Sequence, residues 1–172
     1  MSDARLPDIS LASERLDLRL FGPEDASETF AAITPALTRF MNWEPPATPK
    51  AFAEVWRAWL PAMAAGTDLH FVIRSRSRGE FLGLAGLHGI DHPAPELGVW
   101  IKQTAHGHGY GREAVATLIA WTSPRFDIDH FVWPVAEANL PSRRLAEALG
   151  GTIVGSAPRA EYTAAIYRIP AP

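Results

Sequence analysis

The sequence predicts one domain of the α/β (α+β) class, a mixed and mostly antiparallel sheet flanked by helices. Three observations carry that expectation. Segments 70–74, 81–87 and 96–101 are apolar, short and separated only by polar turns, so they read as successive antiparallel strands. The third feeds a glycine-rich loop and then a helix-forming stretch, 113–121, where Val115, Leu118, Ile119 and Thr122 fall on one face. Beyond it, strand-like and helix-like stretches alternate to the C-terminus, with no repeat, low-complexity tract or linker to divide residues 1–172 into two domains.

Taken in order, residues 1–13 read as a loose lead-in, and 15–20 alternates polar and apolar side chains as a half-buried strand does. Gly22-Pro23-Glu24-Asp25 opens a helix, with proline first and acids in the first turn, and Ala26, Phe30 and Ile33 continue it. Residues 40–46 form an aromatic loop in which Trp43 is a candidate pocket wall. Thr48-Pro49 starts a second helix, whose Phe52, Val55, Trp56, Trp59, Leu60 and Met63 make a wide apolar face; Pro61 is expected to end or kink it. In the strand at 130–135, Pro134 has no N–H for a ladder. It therefore belongs on an edge, or where the strand parts from its neighbour to admit a ligand. A helix at 141–149 follows Asn139 and stops at Gly150-Gly151. Two strands, 152–156 and 161–169, close a chain of seven strands and four helices.

Composition removes several functions. A length of 172 residues with 47% hydrophobic and 20% charged side chains suits a soluble globular domain. A net charge of -3 and a pI near 6.1 lack the basic footprint of a nucleic-acid partner. With no cysteine, disulfides, thiolate nucleophiles and cysteine-based zinc sites are excluded. His106 and His108 lack an evident third metal ligand. The first seven residues carry no apolar run and no later run could span a bilayer, so the expectation is a cytoplasmic protein with no membrane partner.

The chemistry concentrates in His106-Gly107-His108-Gly109-Tyr110-Gly111-Arg112. A strand feeding a glycine loop that opens a helix gathers unpaired N–H groups at one point. The helix dipole adds positive potential there, and glycine lets an anion come close. The pattern is a phosphate cradle, open to three readings. A P-loop requires Gly-Lys-Ser/Thr, which Gly111-Arg112-Glu113 does not supply. The dinucleotide fingerprint matches at Gly109, Gly111 and Ala114, yet three hairpin-like strands precede it and no acid ends the next strand.

The third reading fits on more counts. Gly109 and Gly111 resemble the glycines of the R/Q-x-x-G-x-G/A acyl-CoA motif of the GNAT N-acetyltransferases, with His106 where that family usually has Arg or Gln. The resemblance extends in order along nearly the whole chain: Arg15-Leu16-Asp17-Leu18-Arg19, Phe40-Met41-Asn42-Trp43, Gly98-Val99-Trp100-Ile101, the glycine loop through Ala114, Asn139-Leu140-Pro141-Ser142 and Leu149-Gly150-Gly151. It looks like the RimJ/RimL type, the subgroup related to the ribosomal-protein N-terminal acetyltransferases.

The resemblance implies a seven-stranded sheet whose fourth and fifth strands part like a V around acetyl-CoA, with Pro134 tolerated where the ladder has opened. Residues Gly107, Gly109 and Gly111, with the N–H groups of His108, Tyr110 and Arg112, would hold the pyrophosphate. His106 would offer an imidazole N–H, and Arg144 is preferred among the arginines for the phosphates of coenzyme A. Val99, Trp100 and Ile101 would act through their backbones, one N–H facing the thioester carbonyl. Asn139 would contact pantetheine. Ser142 would meet the sulfur and protonate the thiolate, although by sequence alone its hydroxyl reads better as a helix cap, and it is the resemblance that reverses that order. Glu161, ranked ahead of Glu96, would assist deprotonation of the amine. The reaction implied is direct acetyl transfer to a primary amine, a small molecule or a peptide N-terminus, and a homodimer is consistent with it. The alternative is a CoA-binding sensor or assembly module without catalysis, against which Ser142 and the glutamates speak.

Overall fold

The computed structural model describes residues 8–172. One eight-stranded sheet organises the chain: β1 (Ser10–Ala12), β2 (Leu16–Leu20), β3 (Asp68–Ser75), β4 (Phe81–His88), β5 (Glu96–Ile101), β6 (His130–Ala136), β7 (Thr152–Pro158) and β8 (Thr163–Pro170). Their order across the sheet is β1-β2-β3-β4-β5-β6-β8-β7. Every pairing is antiparallel except β5 with β6.

Local chemistry accounts for most elements. In β2, Leu16, Leu18 and Leu20 are buried while Asp17 is exposed, which is the period of a strand covered on one face. A 3₁₀ turn, Pro23–Asp25, leads into α1 (Ala26–Ala32), and a four-residue α2 (Pro35–Thr38) follows. Then come α3 (Pro49–Ala65), α4 (Tyr110–Thr122) and α5 (Leu140–Ala148). Thr48 caps α3 by accepting from the N–H of Ala51, and Gly66 ends it at φ 73°. The two faces of the sheet are covered separately. Trp59 of α3 stacks on His70, whereas Trp121 of α4 meets Phe71, the adjacent residue on the opposite face.

Several expectations are corrected. The sheet has eight strands rather than seven, because Ser10–Ala12, read as lead-in, pairs with Asp17–Arg19; the rest of that segment, residues 1–7, lies outside the described residues. The central helix begins at Tyr110, three residues earlier than read, inside the glycine run. Pro61 neither ends nor breaks α3. It is exposed, so the Arg57 carbonyl left without a donor faces water, and buried Phe52 and Met63 hold the helix on both sides.

Between β5 and β6 only Glu96 and Val132 pair. The Val132 N–H donates to the Pro95 carbonyl at 2.9 Å, so residues 130, 132 and 134 turn their nitrogens toward β5. At Pro134 there is no hydrogen to give. The ladder stops there and a slit opens between the two strands. Among the described residues no helix is long and apolar enough to cross a membrane.

Candidate active site

The slit widens into a cleft of about 1480 Å³ lined by β5, β6, the glycine loop, α5 and the aromatic loop that contains Trp43. At the two ends of β5 the Lys102 N–H donates to Leu82 of β4, while the Pro95 carbonyl accepts from Val132 of β6. By alternation, Val99 and Ile101 present their N–H groups to the slit. Trp100 turns its backbone toward β4 and its side chain into the cleft, beside Phe81.

Gly107 and Gly109 have φ of 82° and 75°, a region that disfavours any side chain. A Cβ on Gly107 would meet nothing within 4 Å, so the loop encloses open space above the helix end. Gly109 is the N-cap of α4 and supplies no side-chain cap. Among the described residues no group takes up the N–H groups of residues 107–112. Six donors at the positive end of a thirteen-residue helix suit a diphosphate.

The loop is braced from far away in sequence. Arg15 donates Nε to Glu113 at 2.7 Å and Nη1 to the His108 carbonyl at 2.9 Å. Glu113 also accepts from the Ser13 hydroxyl and the Arg15 N–H. Burial pushes the Glu113 carboxyl up, but these donors outweigh it and hold it below the usual range, so the brace stays ionised at neutral pH.

In α5, Asn139 accepts from the Ser142 N–H at 3.4 Å and is the helix cap. That leaves the Ser142 hydroxyl half-buried, without a hydrogen-bond partner among the described residues, and on the cleft wall. Arg144 is exposed on the same wall. Arg143 is diverted to the Tyr167 hydroxyl and the Glu137 carbonyl.

The far end of the cleft is a trough on the face of the sheet. Gly86 and Gly98 are paired neighbours on β4 and β5, and nothing lies within 4 Å of a Cβ on Gly98. Around this backbone floor stand His70, His88, Glu96, Trp100, Tyr162 and Trp43, the last 36% exposed. Burial raises the Tyr162 hydroxyl above its ordinary value, and the nearby Glu96 carboxylate adds to the effect.

Residues 15–152 match the sequence profile described as an Acetyltransferase (GNAT) domain. The chain belongs to the GNAT acetyltransferase family. It is an N-acetyltransferase with acetyl-CoA as co-substrate. The fold is shared with solved structures of low identity. A Salmonella typhimurium acetyl transferase that modifies the N-terminal serine of ribosomal protein L7/L12 superposes with a TM-score of 0.83 at 18% identity, over 94% of this chain and 99% of that one. RimL, the ribosomal L7/L12 α-N-protein acetyltransferase, in complex with coenzyme A gives 0.82 at 16%, over 94% and 98%. Spermidine N-acetyltransferase from Vibrio cholerae with CoA and spermine gives 0.76 at 16%, over 91% and 95%. No curated protein matches the sequence significantly.

In this GNAT chain, Glu96, Val99, Trp100, Ile101, His106, Gly107, Gly109, Tyr110, Gly111, Arg112, Asn139, Ser142 and Arg144 all line one cleft. His108 does not line it, and its carbonyl is the brace point for Arg15. The His106 imidazole turns back, its Nε2 2.6 Å from the Ile101 carbonyl to which it donates, rather than reaching over the glycine loop. Glu161 is exposed in the β7–β8 turn, which the Arg159 N–H closes onto the Tyr162 carbonyl at 2.7 Å, and stands off the wall. Arg15, Glu113, His70 and His88 were not foreseen. Arg15 and Glu113 lie 98 residues apart, and only the strand register brings the histidines to the trough.

Proposed function

We propose that this GNAT acetyltransferase transfers acetyl directly to the primary amine of a peptide N-terminus or a small molecule, in the manner of the RimJ/RimL-like subgroup. Acetyl-CoA, when bound, supplies the thioester carbonyl. The N–H groups of residues 107–112 hold the diphosphate, with Arg112 and Arg144 at its flanks. Val99 and Ile101 pair with the pantetheine amides through the slit, and the free N–H of one of them stabilises the negative charge that develops on the carbonyl oxygen. Ser142 protonates the departing thiolate. Of the two glutamates, Glu96 is the one placed to draw an ammonium into the trough.

The observation that carries this reading is the unpartnered Ser142 hydroxyl facing the same slit as the unpaired backbone of β5. Substrate α-amino groups titrate near 8 and lysine side chains near 10.4, so an N-terminal amine is the easier acceptor at neutral pH. A cytoplasmic location and the absence of a nucleic-acid partner follow from the same reading and from the net charge of -3. Exposed Ile153 and Val154 on the outermost strand β7 support a homodimer formed along that edge. The test is an acceptor screen of N-terminal peptides, amino acids, polyamines and aminoglycosides, read by thiol release. Turnover with one class names the substrate. Acetyl-CoA binding without turnover on any amine favours the non-catalytic module.

A further inference from the structure

Asp68, His88 and Glu96 are register partners on β3, β4 and β5, so their side chains form one row across the face that carries the trough. The row is built rather than incidental. Asp68 is anchored by the Gly89 N–H at 2.8 Å, and its other oxygen lies 3.8 Å from His88 Nδ1. The His88 ring leans back along its strand, so that a Cβ on Gly86 would come within 2.8 Å of Nε2. That nitrogen therefore overhangs the glycine floor, opposite Gly98. Its ring edge is fixed against His70, 5.1 Å away between centroids, and His70 is in turn stacked on Trp59 at 4.2 Å. The His88 side chain is still 38% exposed, which leaves a route for a proton to solvent.

We propose that His88, with the Asp68 carboxylate on its Nδ1 side, is the catalytic residue that takes the acceptor amine's proton, an assignment that rests on the N-acetyltransferase reading. The ammonium drawn in by Glu96 gives one proton to Nε2. The nitrogen lone pair then forms the C–N bond, the C–S bond breaks, and the thiolate is protonated. The second proton leaves the nitrogen as the amide forms and replaces the one Ser142 gave to the thiolate, and His88 passes its own to water. An imidazole suits this step better than a carboxylate, because its proton affinity is closer to that of an amine. The groups facing His88 are Asp68 and His70 from β3 and Glu96 from β5, with exposed His92 beyond Gly89. Burial, with the neighbouring His88 adding to it and Asp68 opposing, pushes His70 down to about 4, so it stays neutral and does not compete for the proton.

The experiment compares wild type, His88→Gln and Asp68→Asn across pH with one reactive amine. Calorimetric acetyl-CoA affinity reports that the variants are folded. His88→Gln should lower kcat at neutral pH about 100-fold. It should also move the acid limb of the profile up toward the acceptor's own pKa and regain rate when free imidazole is added. Asp68→Asn should shift the same limb with a smaller loss, and it carries the test if His88→Gln fails to bind acetyl-CoA. Wild-type rate and limb in these variants, or a loss without a changed limb and without rescue, overturns the assignment. A wild type that acetylates no amine instead overturns the functional reading beneath it.

Discussion

Ser142 shows how a neighbour decides a side chain's role. Asn139 caps α5, which leaves the serine hydroxyl without that duty, as its proposed role as general acid requires. Ser142→Ala should lower kcat about 100-fold, as loss of a general acid does, with acetyl-CoA affinity nearly unchanged; a rate-neutral variant would leave the hydroxyl without a chemical role. The two glutamates separate in the same way. Glu96→Gln should raise KM for a cationic acceptor, whereas Glu161→Gln, in its exposed turn, should leave both kinetic constants within about twofold of wild type, as surface changes usually do. Gly98→Ala probes the floor. A methyl there meets nothing, so stability and acetyl-CoA affinity should hold while KM for the amine rises.

At the scale of elements, the glycine loop and its helix are the most constrained. Gly109→Val places a β-branched residue at φ 75°, a strain of roughly 1–2 kcal/mol, and puts carbon where an anion must lie. Acetyl-CoA affinity measured by calorimetry should fall by more than tenfold. A second joint ties β2, β3 and the 3₁₀ turn together. Burial raises the Asp25 carboxyl, but hydrogen bonds from Arg19, the Gly22 N–H and Arg74 outweigh it and hold it below the ordinary 3.8. A carboxyl depressed by folding contributes stability that is full above its unfolded pKa and is lost as pH falls through the folded value. Acid unfolding followed by circular dichroism should therefore steepen below about pH 4 in the wild type. Asp25→Ala should lose that component and about 3 kcal/mol at neutral pH.

Across the whole molecule, what could be read in advance was whatever is local. Val115, Leu118, Ile119 and Thr122 announce their helix by spacing, the alternating glycines announce the loop, and Pro134 announces a missing donor. Those three features locate the slit and bring β5, the loop and α5 to one cleft. What escaped depends on register or on distant partners. Ser10–Ala12 is too short to show a period and exists only by pairing with β2. The Arg15–Glu113 brace spans most of the chain, and His88 meets Glu96 only once β4 and β5 are aligned. Glu161 was singled out by its match to a position in related sequences, and its exposed place in the β7–β8 turn follows only from how those two strands pair. Pro61 looked like a breaker because its exposure could not be seen.

Pro134 carries one further consequence. Bare strand edges tend to pair with one another, so a crevice between two strands needs something that stops the ladder. Here the edge of β6 lacks the hydrogen that would start such a closure at residue 134, so the ladder between β5 and β6 does not extend past Val132. An alanine at that position should let amide exchange on β5 slow in the apo protein, and acetyl-CoA would then enter more slowly.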